Sequence, residues 1–198
     1  MAIDLLEALA NFQVVGDWEN EVAYFRTQVA PEMYLNVVYK SAEQVALSDA
    51  ARRLNFPGLF VEFLAKQNGA HLFAGALSIY GIHRRGQLLN RMTPFLLPPY
   101  NIADANCAWP SDPDRLLVIG GYRFDGSSVC MDRHDLHIDV FGRNQSHQPR
   151  SSWPSLSHWI TGEVRRLSIL FDSRGKRLVE ESQTPPPPGL PPESSIIQ

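Results

Sequence analysis

The stretch FPGLFVEFLAKQNGAHLFAGALSIYG, residues 56–81, constrains this chain more than any other, because it joins a short amphipathic helix to an apolar strand. Pro57 fixes φ and has no N–H, which suits a first helical turn whose leading donors are unpaired in any case. Leu59, Phe60, Phe63 and Leu64 then gather on one face and leave Glu62, Lys66 and Gln67 toward water. Asn68 and Gly69 both tolerate left-handed backbone, so the pair is expected to end the helix, with Lys66 placed at its negative end. Residues 72–82 are apolar, aromatic and small, too few to cross a bilayer, and they predict one buried strand interrupted by Gly75. The unit is helix, tight turn, strand, and the apolar face of its helix must bury against something.

Other elements follow from local pattern. Leu5, Leu6, Leu9 and Phe12 predict a short helix, and Trp18, Val22, Tyr24 and Phe25 a second one with Asp17 as its N-cap. MYLNVVY, residues 33–39, is β-branched and aromatic and predicts a strand, placed at an edge of the sheet. Ser41 to Gln44 fits a capping box, and Leu47, Ala50, Ala51 and Leu54 form the buried stripe of the helix it would start. A β-meander is expected downstream, with strands near 115–120, 127–132 and 136–141 and turns at Asp125-Gly126 and 133–135. Leu156, Trp159, Ile160, Val164, Leu167, Leu170 and Phe171 recur at helical spacing, with Ser152 as cap, Pro154 in the first turn and Arg165-Arg166 on the wet side. Between 84 and 115 lies a long connection punctuated by five prolines.

Composition excludes several classes. A chain of 198 residues is large enough for one core, and its formal net charge of -3 argues against global attraction to nucleic acid or an anionic membrane. The start, MAIDLLEALA, carries acids where a signal peptide carries positive charge, and no apolar run reaches transmembrane length. A cytoplasmic protein with no nucleic-acid or membrane partner is therefore expected, with Cys107 and Cys130 reduced. From 180 onward the chain reads EESQTPPPPGLPPESSIIQ, which cannot supply the donors that packing needs and predicts a flexible tail.

Taken together, the proline-led helix with its Phe-Leu pair and Asn-Gly, LLVIGGYRFDGSSVCMD at 116–132 and WPSLSHWI at 153–160 resemble the SUKH superfamily in order and spacing. That superfamily includes a yeast cell-wall-synthesis regulator and many bacterial immunity proteins. The resemblance spans about 41–171, and 84–115 looks like a family-variable insertion. Two departures stand out: Phe-Pro replaces the Leu-Pro the family often shows, and a substantial N-terminal region precedes it.

Motifs that carry chemistry are weak. Asp132, His134, Asp135, His137 and Asp139 crowd a turn and strand, but no distant complementary pair completes a tetrahedral set, so a solvated turn accounts for them. Gly126-Ser127-Ser128 lacks the GxSxG elbow, and Gly120-Gly121 lacks both the phosphate-loop ending and the dinucleotide spacing. No cofactor or metal is expected. His83, Arg84, Arg85 and Arg91 form the most basic stretch, which a solvated loop accounts for and which an acidic partner would also suit.

The fold class predicted is α+β, a twisted, mainly antiparallel sheet packed by helices: helical lead-in 1–29, SUKH-like domain 30–179, Pro-rich tail 180–198. The resemblance implies a non-enzymatic protein-binding domain, an immunity protein that neutralises a cognate toxin by direct contact. Candidate contacts are Arg84, Arg85, Tyr100, Trp109, Tyr122 and Asp125, which fall on predicted loops or strand ends. The alternative is a cytosolic regulator or scaffold that recruits a partner through the tail, and the third reading is a small hydrolase.

Overall fold

Nine strands run in sequence order through one open sheet, each antiparallel to the next, among the residues that the computed structural model describes. Those residues are 5–10, 13–18, 22–30, 33–82, 100–108, 112–143, 148–170 and 178. The strands are β1 Gln13–Trp18, β2 Val22–Ala30, β3 Met33–Lys40, β4 Gln67–Leu72, β5 Leu77–Ile79, β6 Leu116–Tyr122, β7 Ser128–Asp132, β8 Ile138–Phe141 and β9 Ser151–Trp153. Five helices interrupt them: α1 Leu5–Ala8, α2 Gln44–Leu54, α3 Gly58–Lys66, α4 Ile102–Ala108 and α5 Leu156–Ile169. The architecture is α+β with a mainly antiparallel sheet, as the sequence predicts.

The core sits between one sheet face and the helices. Phe60, Phe63 and Leu64 of α3, Leu47 and Ala50 of α2, and Trp159, Ile160 and Leu167 of α5 bury against Leu72, Leu77, Ile79, Leu117, Ile119, Val129, Met131, Ile138 and Val140. Phe60 stacks on Phe63 with ring centroids 5.9 Å apart. The other face carries a smaller cluster of Leu116, Val118, Cys130 and Phe141.

Several expectations are corrected. Residues 17–18 and 22–25 lie in β1 and β2 and form no helix, because β2 pairs with β1 on one side and with β3 on the other. As a result β3 lies inside the sheet, flanked by β2 and β4. The capping box does not form, since α2 begins after Glu43 without a side-chain cap, and Asn55 in left-handed backbone closes it instead. At the other end of the chain Ser152 lies in β9, and the α5 cap is Ser155, whose Oγ accepts from the His158 N–H.

The 56–81 unit departs most from its reading. Pro57 does lead the helix, yet α3 ends at Lys66 and Gln67 turns straight into extended backbone, so Asn68-Gly69 belongs to β4. Gln67 is buried and its Oε1 accepts from the Leu5 N–H at 2.9 Å, tying α1 to the sheet. What was expected as one strand over 72–82 is a hairpin that turns through Phe73, Ala74 and Gly75, all with positive φ. Asn36 Oδ1 holds this turn by accepting from the Phe73 N–H.

Asparagine amides also manage a split in the sheet. Beyond Tyr80 the chain leaves β6: Gly81 bridges in parallel to Asn101, and α4 enters beside the freed edge. There Asn106 Oδ1 accepts from the Val118 N–H and its Nδ2 donates to the Val118 carbonyl, both at 2.9 Å, as a paired strand would. On the β4 side Asn68 does the same to Ile82, accepting from its N–H at 2.7 Å and donating to its carbonyl at 2.6 Å. The chain departs at residue 82 and returns at Tyr100 through this split.

Candidate functional site

Alternation in β5 sends Leu77 and Ile79 into the core and Ser78 and Tyr80 to the opposite face. There a row of rings meets edge to face: Tyr39 and His71 at 5.7 Å, His71 and Tyr100 at 5.2 Å, Tyr100 and Tyr80 at 5.7 Å. Such edge-to-face pairs favour a fixed arrangement beyond simple burial. His71 is further held by Ser78, whose Oγ lies 3.0 Å from Nδ1. The row ends at a pocket of about 210 Å³ lined by Ser78, Tyr80, Tyr100, Gly121, Tyr122, Arg123, Gly126, Ser127 and Ser128.

The pocket floor needs its glycine. A Cβ at Gly121 would stand 2.8 Å from the Tyr80 hydroxyl, so the bare backbone there admits the phenol. Burial raises the Tyr80 hydroxyl above its ordinary pKa, with smaller contributions from Tyr100 and Cys130. Ser127 is buried and its Oγ has no hydrogen-bond partner among the described residues. Arg123 is exposed at the rim and makes no ion pair among the described residues. Next to it, Asp125 Oδ2 takes Arg150 at 3.1 Å and Asp125 Oδ1 accepts from the Ser127 N–H at 2.8 Å, which fixes the hairpin tip.

The contacts expected from sequence divide three ways. Arg84, Arg85 and Trp109 lie outside the described residues, as does the tail 180–198 apart from its preceding Leu178. Tyr100, 54% exposed, lines the pocket, whereas half-buried Asp125 is not among its lining residues and lies at the hairpin tip next to the lining residue Gly126. Tyr122 is corrected: it is 2% exposed and its hydroxyl accepts from Trp159 Nε1 at 3.0 Å inside the core. Strict alternation from Leu116 and Val118 would turn Tyr122 to the outer face, but the register shift between Val118 and Gly120 inserts a residue and inverts the parity.

Tyr122 belongs to a buried polar set. Its hydroxyl also meets Glu163, and Glu163 grips Arg166 at 2.6 Å, with the guanidinium over the Tyr122 and Phe124 rings at 5.9 and 5.8 Å. Burial and then the Glu163 charge push the Tyr122 hydroxyl well up. Arg166 is thus buried, where the helical pattern places it toward water.

The acidic turn after β7 is the other concentration of titratable groups. Ligand atoms of Asp132, Asp135 and His137 all lie within 4.8 Å of one another. Each is engaged by its own turn: Arg115 Nε meets Asp132 Oδ2 at 2.5 Å, the His134 N–H donates to Oδ1, and His137 bridges Asp135 and Asp139. Burial pulls the His137 ring down, but the Asp139 charge, its hydrogen bond and Asp135 outweigh this, so His137 titrates above its ordinary value. Cys130 is buried and its thiol is pushed well up by desolvation and by Asp139, the opposite of a reactive thiolate, while Cys107 is exposed; both are free.

Sequence reasoning missed Ser78, Tyr80, Arg123, Ser127 and Ser128 as pocket residues. The available signal was the alternation Leu77-Ser78-Ile79-Tyr80, which marks a strand with one polar face. No helix among the described residues is long and apolar enough to cross a membrane. No protein-family model matches the chain, and no curated protein matches it either.

Proposed function

We propose that this chain is a non-enzymatic protein-binding domain, an immunity protein that works in the cytoplasm and neutralises a cognate toxin by occupying its surface. The observation that carries this is the outer face at the sheet split, where half-exposed Tyr100, the Tyr80 phenol and Arg123, which makes no ion pair among the described residues, surround one pocket. Tyrosine and arginine are the residue types that concentrate binding energy at protein interfaces, and rigid rings lose little entropy when covered. The SUKH resemblance of the helix, meander and closing helix supports the same reading. Co-expression with the toxin encoded beside it should yield a stable complex and protect growth. A chain that binds no such toxin and protects no cell ends the proposal.

One observation favours a second reading. Ser78 lines the pocket, and its Oγ stands at nucleophile-to-base distance from His71 Nδ1 behind it, as a small hydrolase requires. Ester or amide turnover that disappears in Ser78→Ala would establish it in place of immunity. Deleting 180–198 separates the scaffold alternative, which predicts loss of partner binding where immunity predicts retained protection.

A further inference from the structure

The outer face beside the sheet split is built from rings set nearly at right angles. His71 and Tyr100 stand at 83° and Tyr80 and Tyr100 at 79°, so successive rings meet as corners rather than a stack. Tyr100 is 54% exposed, which leaves one side of the corner uncovered. Beside it the Tyr80 phenol lies over the bare Gly121 backbone, and Ser128 shares the outer face with Cys130 by alternation in β7. The polar side chains at this corner, Tyr80, Ser128 and Arg123, all have protons to donate. The volume of about 210 Å³ falls below the roughly 300–1,000 Å³ of small-molecule sites, which suits rings inserted from a peptide.

We propose that this corner is a polyproline site and that its occupant is the chain's own segment 185–192, PPPPGLPP, docked within the same molecule. Consecutive prolines favour the polyproline II helix, which is ordered before it binds and presents pyrrolidine rings to aromatic surfaces. Proline supplies carbonyls without N–H groups, so a surface that offers donors is its complement. Connection and reach agree with this. Arg166 of α5 lies over the Tyr122 and Phe124 rings at 5.9 and 5.8 Å, so the last turns of that helix reach the core side of the β6–β7 tip, whose outer side lines the pocket. The Leu178 N–H donates to the Leu170 carbonyl at 2.8 Å, which holds the chain at that end of the helix. Seven steps from Leu178 to Pro185 span up to about 25 Å when extended, against a radius of gyration of about 15 Å for a domain of roughly 150 residues. Charge points the same way: beyond Arg177 the chain carries Glu180, Glu181 and Glu193 and no lysine or arginine, while Arg123 and Arg143 are exposed at the tip. The proposal goes beyond the toxin-binding reading, and its test needs no toxin.

The test is paramagnetic relaxation measured by NMR on the full chain, with a nitroxide on Cys107, which is exposed where Cys130 is buried. Helix α4 begins two residues after Tyr100, is about 10 Å long and packs Ala105 on the outer-face cluster, so the label sits beside the corner. Docking should broaden the amides of Thr184, Gly189 and Leu190 several-fold more than those of Ile196 and Ile197. Combining Pro185→Ser, Pro186→Ser, Pro187→Ser and Pro188→Ser leaves the sheet and helices untouched and should bring the first set down to the level of the second. Tyr100→Ala should do the same, whereas Tyr100→Phe keeps the ring and should retain the effect. Val45→Ala, at an exposed position on α2, should change nothing. Uniform broadening over 184–197 in the parent chain, or broadening that survives the four proline substitutions, overturns the proposal. Equal broadening when the nitroxide sits on a second, isotopically silent copy assigns the tail of another molecule and overturns docking within one. Loss in moderate salt without loss on proline substitution identifies charge alone and overturns the polyproline assignment.

Discussion

Asn68 provides the sharpest test of how the sheet is held. Its amide satisfies both backbone groups of Ile82 across a separation of fourteen residues, and Ile82 is only 8% exposed. Asn68→Ala deletes two hydrogen bonds of about 1 kcal/mol each, and leaves a buried N–H and carbonyl that together add about 1–2 kcal/mol more. The total of about 2–4 kcal/mol is a large share of a typical domain's stability of about 5–15 kcal/mol. In urea, with m near ~2 kcal/mol/M, the midpoint should fall by about 1–2 M. Asn68→Asp refines the argument, because the carboxylate still accepts from the Ile82 N–H but presents an oxygen to the Ile82 carbonyl where Nδ2 donated. That repulsion favours the protonated acid in the fold, so its folded pKa is expected above the unfolded value of about 3.9. A raised folded pKa means that the stabilising state is fully present below about pH 4 and lost as pH rises through the folded value. The gap between Asn68→Asp and the parent chain should therefore be smallest in acid and widen toward neutrality. A loss below about 0.5 kcal/mol for Asn68→Ala, the level of an ordinary surface change, or a pH-independent gap for Asn68→Asp, refutes the reasoning.

Three further outcomes are expected. Glu163→Ala breaks the buried Glu163–Arg166 ion pair and should cost about 3–5 kcal/mol by chemical denaturation, whereas Glu163→Leu with Arg166→Met should recover most of it; equal losses would contradict this. Tyr122→Phe leaves buried Trp159 Nε1 without its acceptor and should cost about 1–3 kcal/mol by chemical denaturation; an unchanged stability would contradict this. His137 has a raised folded pKa, so its contribution is complete below its unfolded value near 6.5 and is lost as pH rises through the higher folded one; stability of the parent relative to His137→Gln should decline across that window, and a constant difference would remove His137 as the cause.

Much of the fold was legible where periodicity was strong and local. The stripes Leu47-Ala50-Leu54 and Trp159-Ile160-Val164-Leu167 mark α2 and α5, and Asp125-Gly126 marks the β6–β7 turn, with Gly126 at φ 69. The misses share a cause: a partner distant in sequence decided the outcome. Residues 17–25 carry an apolar pattern compatible with either element, and for 17–18 and 22–25 the pairing of β2 with both β1 and β3 settles it as strand. Asn68-Gly69 is chemically fit to end a helix, but Ile82 offers its amide two bonds and the backbone of Ile79 to Gly81 crowds Gly69, where a Cβ would come within 2.5 Å of the Ile79 carbonyl. The bulge near Gly120 has no strong local signature beyond its glycine pair, yet it decides whether Tyr122 is surface or core. The pocket was half visible for the same reason: Tyr100 lies on a loop, but Ser128 and Arg123 become a site only when β5 brings Tyr80 across.

The split that α4 fills sets how freely the chain can be rewritten there. Gly81 and Tyr100 are already joined by a hydrogen bond of 2.9 Å, and Asn68 and Asn106 seal the ladder on both sides. The seventeen residues from 83 to 99 therefore start and finish at one anchored point, so their length does not set the register of any strand. Closing a loop of doubled length costs only about 0.6 kcal/mol more. This junction is a graft point, where inserts of different lengths can be exchanged beside Tyr100 while the nine-stranded frame keeps its shape.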